Sequence, residues 1–397
     1  MTVYEAVIVD AVRTPLGRRK GSLALTHPVD LLAGLLRQLV DKNGIDGASV
    51  DDVIVGSVDQ VGEQGANIGR NAWLSAGLPE TVPAVTLDRQ CGSSLQALSF
   101  AAQGVMAGAY DIVVAAGVES MTRVPMLSTI SVYGTPMTES LKQRYRLDRW
   151  NREFFDQALG AEMIAKEWGL TREDLDRLGL RSHQLAALAR EQGLFANEII
   201  PVQVPTSSDN PALRAFAQDE GIRPEASLEK MLSLPPAFKD LELVTAGNAS
   251  QISDGASAAL VMRADVAHRL GLRPRARFVS FAVVGVDPIT MLTGPIPATK
   301  KVLDKAGLKV SDIDLFEVNE AFASVVLAWQ KEIGAPMDKV NVHGGAIALG
   351  HPLGATGTRL TATILNALEQ RQGRYGLMAI CEGGGMANAT IIERIVD

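Results

Sequence analysis

Cysteine is scarce in this chain: two among 397 residues, Cys91 and Cys381. Two thiols cannot build a disulfide framework for a chain this large, which points to a reducing, intracellular setting. Positive charge is not in excess either. The formal net charge is −7 and the pI near 5.4, whereas a nucleic-acid-binding surface needs a basic balance. Long apolar runs are missing, and the longest evident one, Ile112 to Val118, is far too short to span a bilayer. Met1 leads at once into the strand-like Ala6-Val7-Ile8-Val9 rather than into a secretory leader. A cytoplasmic protein is expected, without nucleic-acid or membrane partners. No phosphate-cradling loop ending in Lys-Ser or Lys-Thr and no dinucleotide fingerprint occurs, which disfavours a nucleotide-driven reaction.

What the chain does contain is ordinary in bulk and unusual in placement. Hydrophobic residues make up 47% and charged residues 21%, the profile of a soluble globular protein. Its length implies two or three domains. The 37 glycines concentrate near the cysteines and His351, in Cys91-Gly92-Ser93-Ser94, in Gly350-His351-Pro352-Leu353-Gly354-Ala355-Thr356-Gly357, and in Gly383-Gly384-Gly385 after Cys381. Bare backbone beside a cysteine lets a substrate approach it, which a packing role rarely needs.

The first third alternates short apolar runs with helical patterns, as layered α/β structures do. Val53 to Val58, Ala84 to Asp88 and Ile112 to Ala116 read as strands. Leu32, Leu35, Leu36, Leu39 and Val40 mark one helix, and Leu95, Leu98, Ala102, Val105 and Met106 another directly after Cys91. The last third repeats the scheme. Val50–Val58 resembles Val310–Val318 at an offset of 260, and Leu39–Gly44 resembles Val302–Gly307. The same offset carries Cys91 onto His351, and Ile112–Gly117 matches Gly376–Cys381 at a slightly larger one. Four paired elements in one order indicate a duplicated unit whose two copies face a shared centre. Residues 121 to 249 lose the β-α alternation and read as an insertion over one face, with helices over Ala161–Trp168 and Thr171–Glu191.

Cys91 lies between a strand and a helix, where the helix N-terminus favours a thiolate and its N–H groups suit an oxyanion. By its residue type alone it reads equally as a small buried core residue. His351 is the natural base for such a thiol, the alternative being a turn histidine that only hydrogen-bonds the backbone. His343 fits that plainer role, and His27, His183 and His268 are expected at the surface or in loops. Cys381 suits proton transfer in a small-residue pocket. A zinc site is weakly supported without Cys-x-x-Cys spacing, and a redox pair would place its thiols closer in sequence. Asn319, in Asn319-Glu320-Ala321-Phe322-Ala323, is by default a helix N-cap; the alternative is to orient a water or an oxyanion. Lys142 to Arg152 is a basic segment, suited to a partner subunit, to phosphates or simply to solvent.

Together these blocks resemble the thiolase family over nearly the whole chain. The carriers are Cys91-Gly92-Ser93-Ser94, Asn319-Glu320-Ala321-Phe322-Ala323, Gly344 to Pro352 and Cys381-Glu382-Gly383-Gly384-Gly385, with Asp10 to Pro15 and Thr245 to Ser250 in support. The resemblance implies a duplicated α-β-α-β-α layered fold: two similar halves with mixed five-stranded sheets, plus an inserted loop domain. The halves would be 1–120 with 250–272, and 273–397; residues 121–249 would bind coenzyme A. It implies that Cys91, activated by His351, attacks a 3-ketoacyl-CoA and keeps the shortened acyl group as a thioester, and that Cys381 protonates the departing acetyl-CoA carbanion. Asn319 would hold a water that forms one oxyanion hole with His351, and the N–H groups of Cys91 and Gly383 the other. By position, Arg223 would lie near the adenine end of coenzyme A and Ser250 near the pantetheine arm. Coenzyme A and acyl-CoA are then substrates, with no tightly bound cofactor and no metal, and the assembly would be a homodimer or homotetramer.

One departure bears on substrate. Biosynthetic thiolases resemble each other in a His-Met-Gly stretch, where this chain has Ala158-Leu159-Gly160. The chain looks more like degradative bacterial thiolases of steroid-ring and fatty-acid breakdown, which implies a bulky or branched 3-ketoacyl-CoA. The alternatives are a biosynthetic acetoacetyl-CoA thiolase and a non-catalytic, thiolase-like acyl-CoA or lipid carrier. Condensing enzymes of the ketoacyl synthase type share the duplicated fold but have no second catalytic cysteine, so Cys381 argues against them.

Overall fold

The computed structural model describes residues 3–131, 134–207 and 212–396. Its strands are β1 (Ala6–Arg13), β2 (Gly17–Arg18), β3 (Asp52–Gly56), β4 (Ala84–Leu87), β5 (Ile112–Ser120), β6 (Val202–Pro205), β7 (Leu213–Phe216), β8 (Ser253–Arg263), β9 (Ala276–Gly285), β10 (Leu315–Val318), β11 (Tyr375–Glu382) and β12 (Met386–Arg394). The large sheet runs β10-β11-β12-β9-β1-β8-β5-β3-β4, with β2 beside β8.

Its two halves repeat one pattern. In the first, β4, β3 and β5 are parallel neighbours, and β8 then β1 follow antiparallel. In the second, β10 and β11 are parallel, β12 and β9 follow antiparallel, and a single parallel bridge from Phe316 to Val340 stands where β4 stands in the first. The halves join at the Val7–Arg277 and Ile8–Ala276 pairs, which make one ladder of what the duplication supplies as two.

Strand alternation sorts the side chains into layers, because successive residues point to opposite faces. Val7, Val53, Val55, Val114 and Leu260 enter a core beneath the Pro28–Lys42 helix. Their neighbours Ile8, Ile54, Val113 and Val261 enter the central core, with Leu95 and Leu98 of the Ser93–Met106 helix and Leu360 and Ile364 of the Thr356–Arg371 helix. In the second half Met378 and Ile380 face that central core, while Leu377 and Ala379 face the outer helices Pro295–Ala306 and Ala323–Ile333. Sheets covered on both sides explain why the strands read as unbroken apolar runs. The result is five layers, with two helices buried between the halves.

Those central helices follow Cys91 and His351, and their first turns touch. Ser94 Oγ accepts from the Thr358 N–H at 3.0 Å, and a Cβ on Gly357 would fall 2.0 Å from the Leu95 nitrogen. The insertion carries the helices Gln157–Glu167 and Arg172–Glu191 and the β6–β7 hairpin. Buried Arg13 on β1 ties it down through Glu198 and Asp219, both at 2.7 Å. The basic segment is partly neutralised at the surface: Lys142 pairs with Glu139 and Glu153, and Arg152 with Asp156 and Asp240, while Arg144, Arg146 and Arg149 are exposed. Among the described residues no helix is long and apolar enough to cross a membrane.

Candidate active site

Cys91 sits in a tight turn between β4 and its helix. Gln90 adopts a left-handed φ of 48°, a conformation that costs a non-glycine residue energy. Its neighbours hold it there: the Arg89 N–H donates to Ser93 Oγ at 2.9 Å, and Ser93 Oγ donates to the Gln90 carbonyl at 2.6 Å. The thiol is buried, 3% exposed. Sequence alone favours a thiolate at this helix N-terminus, yet burial pushes the thiol up to about 12, with the Glu382 carboxyl adding to the rise. Desolvation of the charged form outweighs the dipole, so the resting group is a neutral thiol. The backbone N–H groups of Cys91 and Gly383 act in the other direction, at the sulfur itself.

Gly383 belongs to the β11–β12 turn, two residues after Cys381. Cys381 is fully buried near the end of β11, and its thiol is raised by burial and then by Cys91. The two thiols are therefore electrostatic neighbours, 290 positions apart in the chain. Around Cys381 the wall is apolar: Ala321, Val325, Met291 and Leu292, with Phe155, Leu159 and Phe322 partly buried against them.

His351 is buried, and its Nε2 lies 3.3 Å from Asn319 Nδ2 while Nδ1 lies 2.6 Å from Thr356 Oγ1. Burial, and then the charge of Arg359, lower the imidazole to about 3, so it rests neutral. Among the described residues neither ring nitrogen hydrogen-bonds a thiol. The loop before it needs glycine at 350, where φ is 113° and a Cβ would lie 2.3 Å from Ser253 Oγ. That hydroxyl accepts from the His351 N–H at 3.3 Å. Asn319 does not cap a helix. The helix starts at Ala323 with Phe322 at its N-cap, which leaves the Asn319 side chain for the site. Its Oδ1 is buried without a partner, as expected of a group that meets a water or substrate.

Two buried carboxylates brace these loops. Glu119 on β5 accepts from the Val58 and Gly354 N–H groups, at 2.9 and 2.8 Å, and from Gln64. Glu320 accepts from Ser182, Asn341 and the Ile347 N–H. Ser250 borders the Asn319 loop, its N–H donating to the Ala321 carbonyl at 2.9 Å. The Arg223 side chain is exposed and, among the described residues, makes no hydrogen bond or ion pair with the thiols, His351 or Asn319; its backbone N–H donates to His183 Nδ1 at 3.2 Å. His183 is not a surface residue, as sequence suggested, but lies buried on the Arg172–Glu191 helix. His343 is buried too. Its Nδ1 has no partner among the described residues and its ring meets Phe195 edge-on. Sequence reasoning passed over Thr356, Ser253, Glu119 and Glu382. A hydroxyl five residues past the histidine, inside a glycine-rich stretch, was the available signal for Thr356. Among the described residues no group of three or more His, Cys, Asp or Glu is placed to hold a metal.

A duplicated α/β fold with two buried, electrostatically coupled thiols and a buried imidazole beside an amide has the features of a thiolase. The thiolase N-terminal domain matches residues 6–265 and the thiolase C-terminal domain residues 272–394. The chain belongs to the thiolase family, a class of acyltransferases. It is 52% identical to the Mycobacterium tuberculosis steroid 3-ketoacyl-CoA thiolase FadA6, covering 98% of this chain and 94% of that one. It is 43% identical to the Bacillus subtilis 3-ketoacyl-CoA thiolase, covering 98% and 99%. The structure of human mitochondrial 3-ketoacyl-CoA thiolase superposes with a TM-score of 0.89 at 34% identity, covering 100% of both chains. The Bacillus anthracis acetyl-CoA acetyltransferase gives 0.90 at 36%, covering 99% and 100%.

Proposed function

We propose that the protein is a 3-ketoacyl-CoA thiolase, cleaving a 3-ketoacyl-CoA with coenzyme A into acetyl-CoA and a shortened acyl-CoA. The observation that supports this reading is the close contact of the two cysteine loops, where a Cβ on Gly383 would lie 2.7 Å from Gln90 Oε1 and one on Gly92 would lie 2.0 Å from Glu382 Oε1, because it joins the two thiols in one site. Cys91 passes its proton to His351 Nε2 as the sulfur attacks the keto carbon. The N–H groups of Cys91 and Gly383 hold the resulting oxyanion, a role worth about 10²- to 10³-fold per donor. Collapse breaks the bond between the keto carbon and the α-carbon and leaves the acyl group on Cys91. The electron pair goes to the α-carbon, where the acetyl-CoA enolate takes the Cys381 proton. A water on Asn319, together with the now protonated His351, stabilises that enolate oxygen. Incoming coenzyme A gives its thiol proton to the Cys381 thiolate and attacks the thioester. Cys91 leaves and takes its proton back from His351.

Residues 121–249 are assigned to coenzyme A, with Ser250 at the pantetheine arm and Arg223, whose side chain is free in solvent, at the adenine end. The halves 1–120 with 250–272, and 273–397, carry the chemistry. Coenzyme A and its esters are substrates, and no tightly bound cofactor is required. The apolar wall of Phe155, Leu159 and Phe322 supports a bulky acyl group, and the FadA6 likeness supports a role in steroid or fatty-acid degradation over acetoacetyl-CoA synthesis. A cytoplasmic homodimer or homotetramer is assigned. In support, the edge strand β4 has a neighbour on one side only and exposes Val85. Purified protein is incubated with acetoacetyl-CoA, longer and cyclic 3-ketoacyl-CoAs, and coenzyme A. The expected result is thiolysis with an acyl adduct on Cys91 by mass spectrometry. Absence of both overturns the reading.

A further inference from the structure

Glu382 follows Cys381 directly and is fully buried at the end of β11. Both of its carboxyl oxygens are buried without a hydrogen-bond partner. The side chain does not point away from the chemistry. It crosses to the nucleophile loop, where a Cβ on Gly92 would lie 2.0 Å from Glu382 Oε1. Gly92 is therefore glycine because the carboxyl occupies that space. Asn388 on β12 flanks the same spot, donating to the Gly92 carbonyl at 3.0 Å while its own Oδ1 stays unpartnered.

The charged and titratable groups facing this carboxyl are few. Arg89 attracts its charge and Asp88 opposes it, both from the nucleophile loop, and Cys381 and Cys91 lie on either side. Arg89 makes no ion pair with it among the described residues, and the Arg89 Nε is itself buried without a partner. No hydrogen bond or ion pair among the described residues offsets the burial of an ionised carboxylate here, and burial raises the group to about 8 against the weaker pull of Arg89. Its charge would oppose a thiolate on Cys91 and on Cys381 alike.

We propose that Glu382 is a positioning residue of the nucleophile loop, working as a neutral carboxylic acid packed on Gly92, and that its ionisation withdraws Cys91 from reaction. This rests on Cys91 being the nucleophile of the thiolase reading. The acid keeps the loop in place without adding charge beside the attacking sulfur. Once ionised, it penalises each thiolate that the reaction must form.

The test follows the alkylation rate of Cys91 by iodoacetamide from pH 6.5 to 9, read on the Cys91 peptide by mass spectrometry, in wild type and Glu382→Gln. Glutamine keeps the shape and cannot ionise. The two rates should agree within about twofold at pH 6.5, and the variant should react about tenfold faster at pH 9, the equivalent of one pKa unit. A ratio that stays constant across pH marks a merely structural residue and overturns the proposal. If the variant does not fold, wild type alone decides: its rate should flatten near pH 8 before rising again, and an unbroken tenfold rise per pH unit overturns the proposal. Alkylation needs no ketoacyl-CoA, so failure here is distinct from failure of the thiolase reading, which thiolysis reports.

Discussion

Thr356 Oγ1 lies 2.6 Å from His351 Nδ1 and donates its only proton to the Pro352 carbonyl at 2.9 Å. The hydroxyl can then only accept from the imidazole, which puts the ring proton on Nδ1 and leaves Nε2 as the acceptor, facing Asn319 Nδ2 at 3.3 Å. The proposed base is thus set in the tautomer its role requires by a residue five positions along the chain. Replacing Thr356 by valine keeps the branched shape and removes this acceptor. The turnover number should fall about 10- to 100-fold with KM little changed, as for other partners that orient a catalytic histidine. Thr356→Ser should restore most of the rate, and steady-state kinetics checks both.

Cys381 and Cys91 have separable duties under the mechanism. Cys381→Ala should lower thiolysis by about 10³-fold or more, given the usual worth of general acid catalysis. Cys91 should still be alkylated by iodoacetamide in that variant. Near-normal turnover would remove the proton-transfer role.

Gly357 lies where the two central helices touch, and a Cβ there would meet the Leu95 backbone nitrogen at 2.0 Å. Backbone cannot move aside as a flexible side chain can. Gly357→Ala should destabilise the protein by about 1–3 kcal/mol through overpacking, and a thermal melt reads it as a lower Tm. An unchanged Tm would contradict the close helix contact.

His343 is held neutral by burial, which lowers it to about 4, with Arg371 contributing. Its folded value lies below the unfolded one, so between about pH 4 and 6.5 the unfolded chain binds the extra proton. Stability from this group is present above pH 6.5 and is lost as pH falls. A His343→Leu variant should therefore gain on wild type as the solution is acidified, by at most about 3 kcal/mol at pH 4. The difference in Tm between the two proteins, measured at pH 7 and pH 4.5, should move in the variant's favour at the lower pH. A constant difference would place His343 in water.

Much of this was legible in the chain. The strands at Ala6, Val53 and Ile112 are apolar runs because both sheet faces are covered, and such runs report themselves. The helix Pro28–Lys42 was marked by its period and its first-turn proline. The duplication showed because two copies of one unit keep the same order of small and large residues. Other features were not legible. His183 lacks any local sign of burial, since the insertion and the second half enclose it from elsewhere in the chain. Asn319 has the residue type of an N-cap, but the helix begins four residues later and leaves it free. Glu382 looks like one polar residue before a glycine turn, and only its contact with Gly92 gives it meaning.

The sequence by itself determined the thiolase class, because Cys91, His351 and Cys381 each sit in a glycine-bordered motif that local backbone geometry demands. It also determined the layering, since strand alternation and helix period act over a few residues. Only the tertiary structure decided the protonation states. A thiol at a helix N-terminus is expected to ionise, yet the closure of two halves around Cys91 removes water, and desolvation outweighs the dipole. That balance depends on every group packed around the site, and those groups come from segments hundreds of residues apart.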